Sequence, residues 1–595
     1  MGILSSKSIY LACIQGAKQV MKNRHHLNEI NVFPVRDGDT GSNLSSMMNA
    51  ILIEAQTGIT PKATVESVSD AALKGARGNS GIIFAQYLSG VSVELADGPD
   101  ITLEHFALAS NRAVQYAYDA IENPVEGTMI TVMKVWGKAL VRLIGTQPDE
   151  LKTMDIAYEE LEASLIETQY QLKDLRRAGV VDSGAKGFVY FIKGMIDFFR
   201  NGETDVELEP YIEEDHLSEP LHIEHQDITC RYCTEAMLEG DFINIPELRE
   251  ALHVLGDSLV VAGNSRRCRM HIHTDHPAKV FEVIYGYGSI VYQKADDMVK
   301  QQSVVENRLH SVALITDSIA DLPQSFTDQH QIHIIHQNLL FRDISFIDKL
   351  TITPERILDY SKDDDKLPTS SQPDSRHIEN VLGYLKTYYD SAIVLTVASE
   401  LSGTFSNVNR VAKTITDDTF KVTVIDTKQN SGAEGLLVAK AARLIEAGLT
   451  HDAIVQEVYD AIPRSKILVR VKTLDNMVKS GRLSTKAGKI GKVVGLKPIV
   501  TLDSEGKGAL DGVAFSVEGS MKKLKRHIKK VMKTNTIEAY SLVHIVNEQE
   551  VKEFEALFTK VIGKAPDFVT ETSSIVAVGA GSGAVALSYI LEKKG

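Results

Sequence analysis

NVFPVRDGDTGSN, running from Asn31 to Asn43, sets two carboxylates, Asp37 and Asp39, two positions apart with a glycine between them. The glycine permits a tight turn that aims both side chains toward one centre. A hard cation such as Mg²⁺ takes oxygen ligands of this kind and completes its shell with phosphates and water. Thr40, Ser42 and Asn43 add hydroxyl and amide groups just before an apolar helical segment starting near Leu44. Free N–H groups at such a helix start favour an anion. The same residues also suit an ordinary capped turn, with Asp39 or Ser42 as N-cap.

A second stretch bears on that choice. Gly75-Ala76-Arg77-Gly78-Asn79-Ser80-Gly81 opens another apolar helical segment, and its glycines and serine allow close backbone approach to phosphate oxygens. It is not a Walker loop, because no Gly-Lys-Ser/Thr follows. The plain alternative is a flexible turn between helices. Around both motifs, residues 1–200 read as helical. Apolar positions recur at helical spacing in 70–88, 103–120, 131–144, 154–172 and 187–199, which predicts an all-α bundle.

Further along, the composition changes. Between Asn201 and Pro220 there are eight carboxylates and no Lys or Arg, an acidic linker over 201–227 or an exposed acidic loop. Residues 228–305 alternate short β-type runs (CRYCTEAMLEG, DSLVVAG, CRMHIHTDHP) with helical segments near 246–255 and 277–285, a small α+β unit. His271 and His273 point to one face of a strand, the spacing that two ligands of one metal need, and Cys230 or Cys233 offers a thiolate. An ordinary polar strand beside buried cysteines fits the same pattern. From 310 to 595, SVALITDS, SAIVLTVAS and KVTVIDTK each end in a polar turn followed by a helical segment, which predicts an α/β domain with a mainly parallel sheet. The turns TDSIADLP, PTSSQPD, LSGTFSN and DTKQNSGAEG bring hydroxyls and N–H groups to strand ends, where they suit a small anionic group or cap helices.

The bulk properties exclude several classes. A chain of 595 residues is too long for one core. A net charge of −15 speaks against general nucleic-acid binding. No apolar run approaches the roughly 20 residues of a membrane helix, so stable membrane insertion is not expected. The N-terminal MGxxxS matches a myristoylation pattern that is short and common. Four cysteines are too few for a disulfide framework, and a cytoplasmic location is expected.

Four motifs in order carry a resemblance. NVFPVRDGDTGSN, GARGNSG, NPVEGTM (123–129) and GVVDSGAKG (179–187) resemble the successive motifs of the dihydroxyacetone kinase L-subunit domain, in the version found in bacterial fatty acid kinases. The resemblance implies an N-terminal all-α helical barrel over 1–200 that holds ATP and two Mg²⁺ ions at one end. It implies Asp37 and Asp39 as Mg²⁺ ligands, with Asn31 where many relatives have a third acidic ligand and Arg36 where they usually have proline. Thr40, Asn43, Ser80 and Gly81 then hold phosphates, with Ser42 among the cofactor-binding residues. Thr128, Asp182 and Gly184 lie near the nucleoside.

YCTE, LGDSLVV and HIHTDHP resemble the fatty acid kinase middle domain, which selects Cys233, His271 and His273 as a structural zinc set. DSIADLP, TSSQP, LSGT and KSGRLS resemble the DegV family of fatty-acid-binding proteins, a two-lobed α/β fold. That resemblance implies Ser370, Ser371 and Ser402, with Thr404 and Arg482, around an acyl carboxylate. Relatives often end in a His-Thr-Gly-Pro-Gly turn, where this chain has Gly579-Ala580-Gly581-Ser582-Gly583. Together the resemblances imply ATP-dependent phosphorylation of a bound fatty acid to an acyl phosphate, in a homodimer that supplies an acyl-phosphate-consuming acyltransferase. The rivals are a dihydroxyacetone-type small-substrate kinase and a non-catalytic lipid-binding or regulatory protein.

Overall fold

The structure is a computed structural model. It describes residues 4–33, 38–147, 149–203, 228–362, 364, 366–483 and 496–594. Asp37 and Arg36 lie outside the described residues, as does most of the acidic linker. The chain forms two compact units, 1–299 and 300–595.

The first unit begins with helices whose starts are written in the sequence. Ser5, Thr60, Asp149 and Asp182 each accept a backbone N–H as N-caps, and Thr102 forms a capping box with His105. Successive long helices pack on one another, and the first, Ser6–Lys22, packs along the last, Ser183–Asn201, closing the ring. Phe84 meets Phe188 and Phe191 edge-on at its centre. The closing contact is backbone on backbone. A Cβ on Gly194 would stand 2.5 Å from the Gln15 carbonyl oxygen, and one on Gly16 would stand 2.7 Å from that of Phe191. Gly194→Leu is therefore expected to force the two helices apart, costing about 1–3 kcal/mol or more. Gly383→Ala, at a helical site with open space around it, serves as the control. Thermal unfolding of both variants checks the contrast.

The middle part is a four-stranded antiparallel sheet in the order Asp257–Gly263, Arg267–Thr274, Tyr232–Glu239, Ser289–Asp297. The last of these strands is not foreseen from the sequence, because its half-buried, largely polar residues show no apolar alternation. One face carries Thr234, Ala236, Leu238, Cys268, Met270 and Ile272, all buried. The other carries Cys233, Glu235, Arg269, His271, His273, Tyr292, Lys294 and Asp296. Val260 and Ala262, which pair with His271 and Arg269, belong to the core of the helical part, so this polar face is turned toward it.

The second unit has two lobes. The first holds a parallel sheet in the order Lys421–Asp426, Ser391–Thr396, Val312–Asp317, His333–Ile335. The second holds six strands in the order Gly508–Ala514, Lys497–Leu502, Ser465–Arg470, Val585–Leu591, Ile537–His544, Phe568–Glu571. All neighbours there are antiparallel except the last pair. The expectation of a mainly parallel sheet thus holds for one lobe only, since apolar strand runs do not encode direction. Helix Ser431–Glu446 packs against strands of both sheets, which explains why it is apolar nearly all round. No described helix is long and apolar enough to cross a membrane.

Candidate functional sites

Four helix N-termini meet at one end of the helical part. The helix Thr40–Glu54 follows Asp39, whose side chain makes no cap bond to it. Helix Gly78–Glu94 starts against it, for a Cβ on Gly78 would stand 2.5 Å from Asn43 Nδ2. A Cβ on Gly184, in the first turn of Ser183–Asn201, would stand 3.0 Å from both Ser80 Oγ and Met129 Cε. Met129 begins the helix after Thr128. Asp182 links the last two starts, accepting N–H groups from Ala185 and Met129, and its burial raises the carboxyl to about 7. N-termini carry partial positive charge and unsatisfied donors, so such a corner suits phosphates.

The structure thus brings together Asp39, Thr40, Asn43, Ser80, Gly81, Thr128, Asp182 and Gly184. Ser42 is engaged otherwise: its N–H donates to Asn28 Oδ1 at 3.1 Å, and its Oγ accepts from Asn28 Nδ2 at 3.0 Å. Asn31 is buried directly upstream of the loop.

The polar face of the middle sheet lies beside this corner. Glu235 Oε1 accepts the Gly78 N–H at 2.8 Å. Cys233, His271 and His273 place ligand atoms within 4.8 Å of one another. Burial pushes the Cys233 thiol well above its usual range; Lys294 opposes the shift, and Glu235, Asp296 and Asp39 add to it. Burial together with His271 lowers His273 to about 3. His271 Nε2 is buried without a hydrogen-bond partner. A neutral imidazole, an orphaned ring nitrogen and a thiol form a donor set that fits a zinc ion. Glu235, Arg269, Tyr292 and Lys294 fall outside the site residues expected from the sequence. The signal that finds them is period-two alternation: they share the face of the cysteine and histidines.

In the second unit a cavity of about 110 Å³ is lined mostly by apolar side chains, including Ile319, Leu401, Ile467, Val500 and Ile575. Its polar lining includes Ser370, Ser402 and Arg482. Arg482 Nη2 donates to Ser370 Oγ at 2.8 Å, and Ser402 Oγ lies 2.9 Å from Thr404 Oγ1. Ser371, next to Ser370 on a strand, is not part of the cavity lining, and Thr404 reaches the site through Ser402. Gly579 and Ala580 are part of the wall.

Three family models match the chain. That of the DAK2 domain matches residues 34–197, that of the FakA-like middle domain of fatty acid kinase 229–305, and that of the DegV family 311–592. An uncharacterized protein of Staphylococcus epidermidis is 29% identical over 348 residues, covering 54% of this chain and 63% of that protein. One of Staphylococcus saprophyticus is 32% identical over 308 residues, covering 50% and 56%. The chain thus spans less than two thirds of the length of these curated relatives. Among solved structures, a fatty acid binding DegV family protein from Streptococcus agalactiae is 23% identical, covering 48% of this chain and 100% of that one at a TM-score of 0.44. DegV of Bacillus subtilis, described as a fatty acid binding protein, is 22% identical, with the same coverages and a TM-score of 0.43.

Proposed function

We propose that this chain, in which a DAK2 domain, a FakA-like middle domain and a DegV domain follow one another as a fusion of kinase and carrier, transfers the γ-phosphoryl group of ATP to a fatty acid carboxylate. The observation that carries the reading is the pairing, in one polypeptide, of a corner of four helix N-termini with an apolar cavity whose polar lining includes an arginine. Asp39, with Asp37, would hold Mg²⁺, which when bound neutralises charge on the phosphates. Thr40, Asn43, Ser80 and Gly81 would orient the phosphates through hydroxyl, amide and backbone groups. Asp182 fixes two of the helix starts around them by accepting the Ala185 and Met129 N–H groups, the second being the start that Thr128 precedes. Cys233, His271 and His273 would hold zinc, tying two strands of the sheet that flanks the corner.

A carboxylate is already ionised near pH 7, so the acceptor needs no general base. Alignment and charge neutralisation remain as the catalytic work. Arg482, Ser370 and Ser402 would hold the carboxylate, with the acyl chain along the apolar wall. Covalent fusion gives carrier and kinase a high effective concentration where the geometry permits transfer. A homodimer, a cytoplasmic location and an acyltransferase that consumes the acyl phosphate complete the reading.

Incubation with Mg–ATP and a long-chain fatty acid is expected to release ADP and an acyl phosphate trapped by hydroxylamine as the hydroxamate. ADP release that ignores fatty acid, or that responds to dihydroxyacetone instead, overturns the assignment. Metal analysis of the purified protein is expected to find zinc.

A further inference from the structure

Helix Gly78–Glu94 begins without a local cap. Its N-cap residue is Arg77, whose side chain makes no capping bond, and Gly78 itself sits at φ +57°. The Gly78 N–H is satisfied instead from 157 residues away, by Glu235 Oε1 at 2.8 Å. The other flank of the turn is held from the same sheet. Arg269 Nη1 donates to the Lys74 carbonyl at 3.1 Å, in the last turn of helix Pro61–Gly75. Arg269 Nη2 pairs with Glu235 Oε2, also at 3.1 Å. Both residues are almost wholly buried, Glu235 at 2% and Arg269 at 1% exposure, and the guanidinium lies 4.2 Å from the centre of the Tyr292 ring.

We infer that Glu235, with Arg269, is the positioning residue of the phosphate-binding turn: the buried pair clamps Gly75–Gly78 on both flanks and so sets nucleotide affinity. The inference rests on the kinase reading above. A buried ion pair contributes little net stability, whereas breaking one is costly. Its value here is geometric. A turn containing Gly75 and a left-handed Gly78 has many accessible conformations, and phosphate binding by backbone N–H groups requires one of them. The ion pair fixes that one before nucleotide arrives. Glu235 also stands 3.6 Å from His271 Nδ1, so the cysteine–histidine cluster and the turn share one side chain.

The test compares Glu235→Ala, which removes the acceptor, with Glu235→Gln, which keeps an oxygen for the Gly78 N–H. In the full chain, Glu235→Ala is expected to weaken Mg–ATP binding about tenfold, as for loss of a hydrogen bond to a charged group, and to raise KM for ATP more than it lowers kcat. Hydrogen exchange over 76–81 in nucleotide-free protein is expected to accelerate most in Glu235→Ala and less in Glu235→Gln, which can keep the acceptor for the Gly78 N–H but gives up the charge paired with Arg269. Should the alanine variant not fold, Glu235→Asp withdraws the acceptor by one methylene and keeps the charge, with the same expected direction. Unchanged exchange and unchanged nucleotide affinity overturn the clamp, as does an equal loss in the alanine and glutamine variants. If the wild-type chain does not bind Mg–ATP, the kinase reading falls, while the exchange comparison still decides whether the turn is clamped.

Discussion

Asp39→Ala is expected to lower ATP-dependent acyl-phosphate formation by at least about 10²–10³-fold, the scale for removing one preorganised charge-stabilising group from a polar active site. Stability should change little by comparison. A capping aspartate replaced by alanine costs about 0.5–2 kcal/mol, but the Asp39 side chain makes no cap bond to the helix it precedes. Asp39→Asn keeps the shape and removes the charge, so it should fall nearly as far as the alanine variant if cation binding is the role. Fatty acid binding by residues 300–595 serves as the internal control and is expected to stay within about twofold, since the substitution lies in the other compact unit. Hydroxamate trapping at saturating ATP, beside fatty acid titration, reads both quantities. Activity within tenfold of wild type in either variant would remove Asp39 from the catalytic site.

What the sequence displays and what it hides differ by chemistry. DGDTGSN and GARGNSG are legible because glycine, carboxylate and hydroxyl groups crowd where a plain interhelical turn needs few of them. The helices around them are legible from period and caps, as at Thr102 and Asp182. Glu235 and Arg269 are not, because on a strand they look like the polar half of any two-sided pattern. Their significance comes from Gly78 and Lys74, far away along the chain. Strand direction in the second lobe is equally hidden, since Ser465–Arg470 and Val585–Leu591 read alike whether parallel or antiparallel. Ser370 and Ser371 show the limit at single-residue scale. Composition offers both hydroxyls, and the alternation of one short strand puts only Ser370 on the cavity wall.

Arg482 is expected to dominate head-group recognition in that cavity. Burial lowers its pKa, the mark of a cation taken partly out of water, and among the described residues no carboxylate pairs with it. Ser370 accepts from it at 2.8 Å, which orients the guanidinium but does not neutralise it. A ligand carboxylate would do both, through charge-assisted hydrogen bonds stronger than neutral ones. The C-terminal part of the wall leaves more of the task to this residue. Gly579 lies on the cavity with nothing within 4 Å of where a Cβ would point, so this stretch of wall offers a head group no side chain. On the proposed reading, recognition would fall on Arg482 with Ser370 and Ser402 beside it. Arg482→Gln is expected to weaken fatty acid binding about 10–100-fold, the range of about 1.5–3 kcal/mol for a hydrogen bond to a charged group. The alcohol of the same chain length should bind both proteins alike, because it carries no charge for the guanidinium to meet. Equal losses for acid and alcohol would make Arg482 a packing residue, and no loss for the acid would place the carboxylate elsewhere in the cavity.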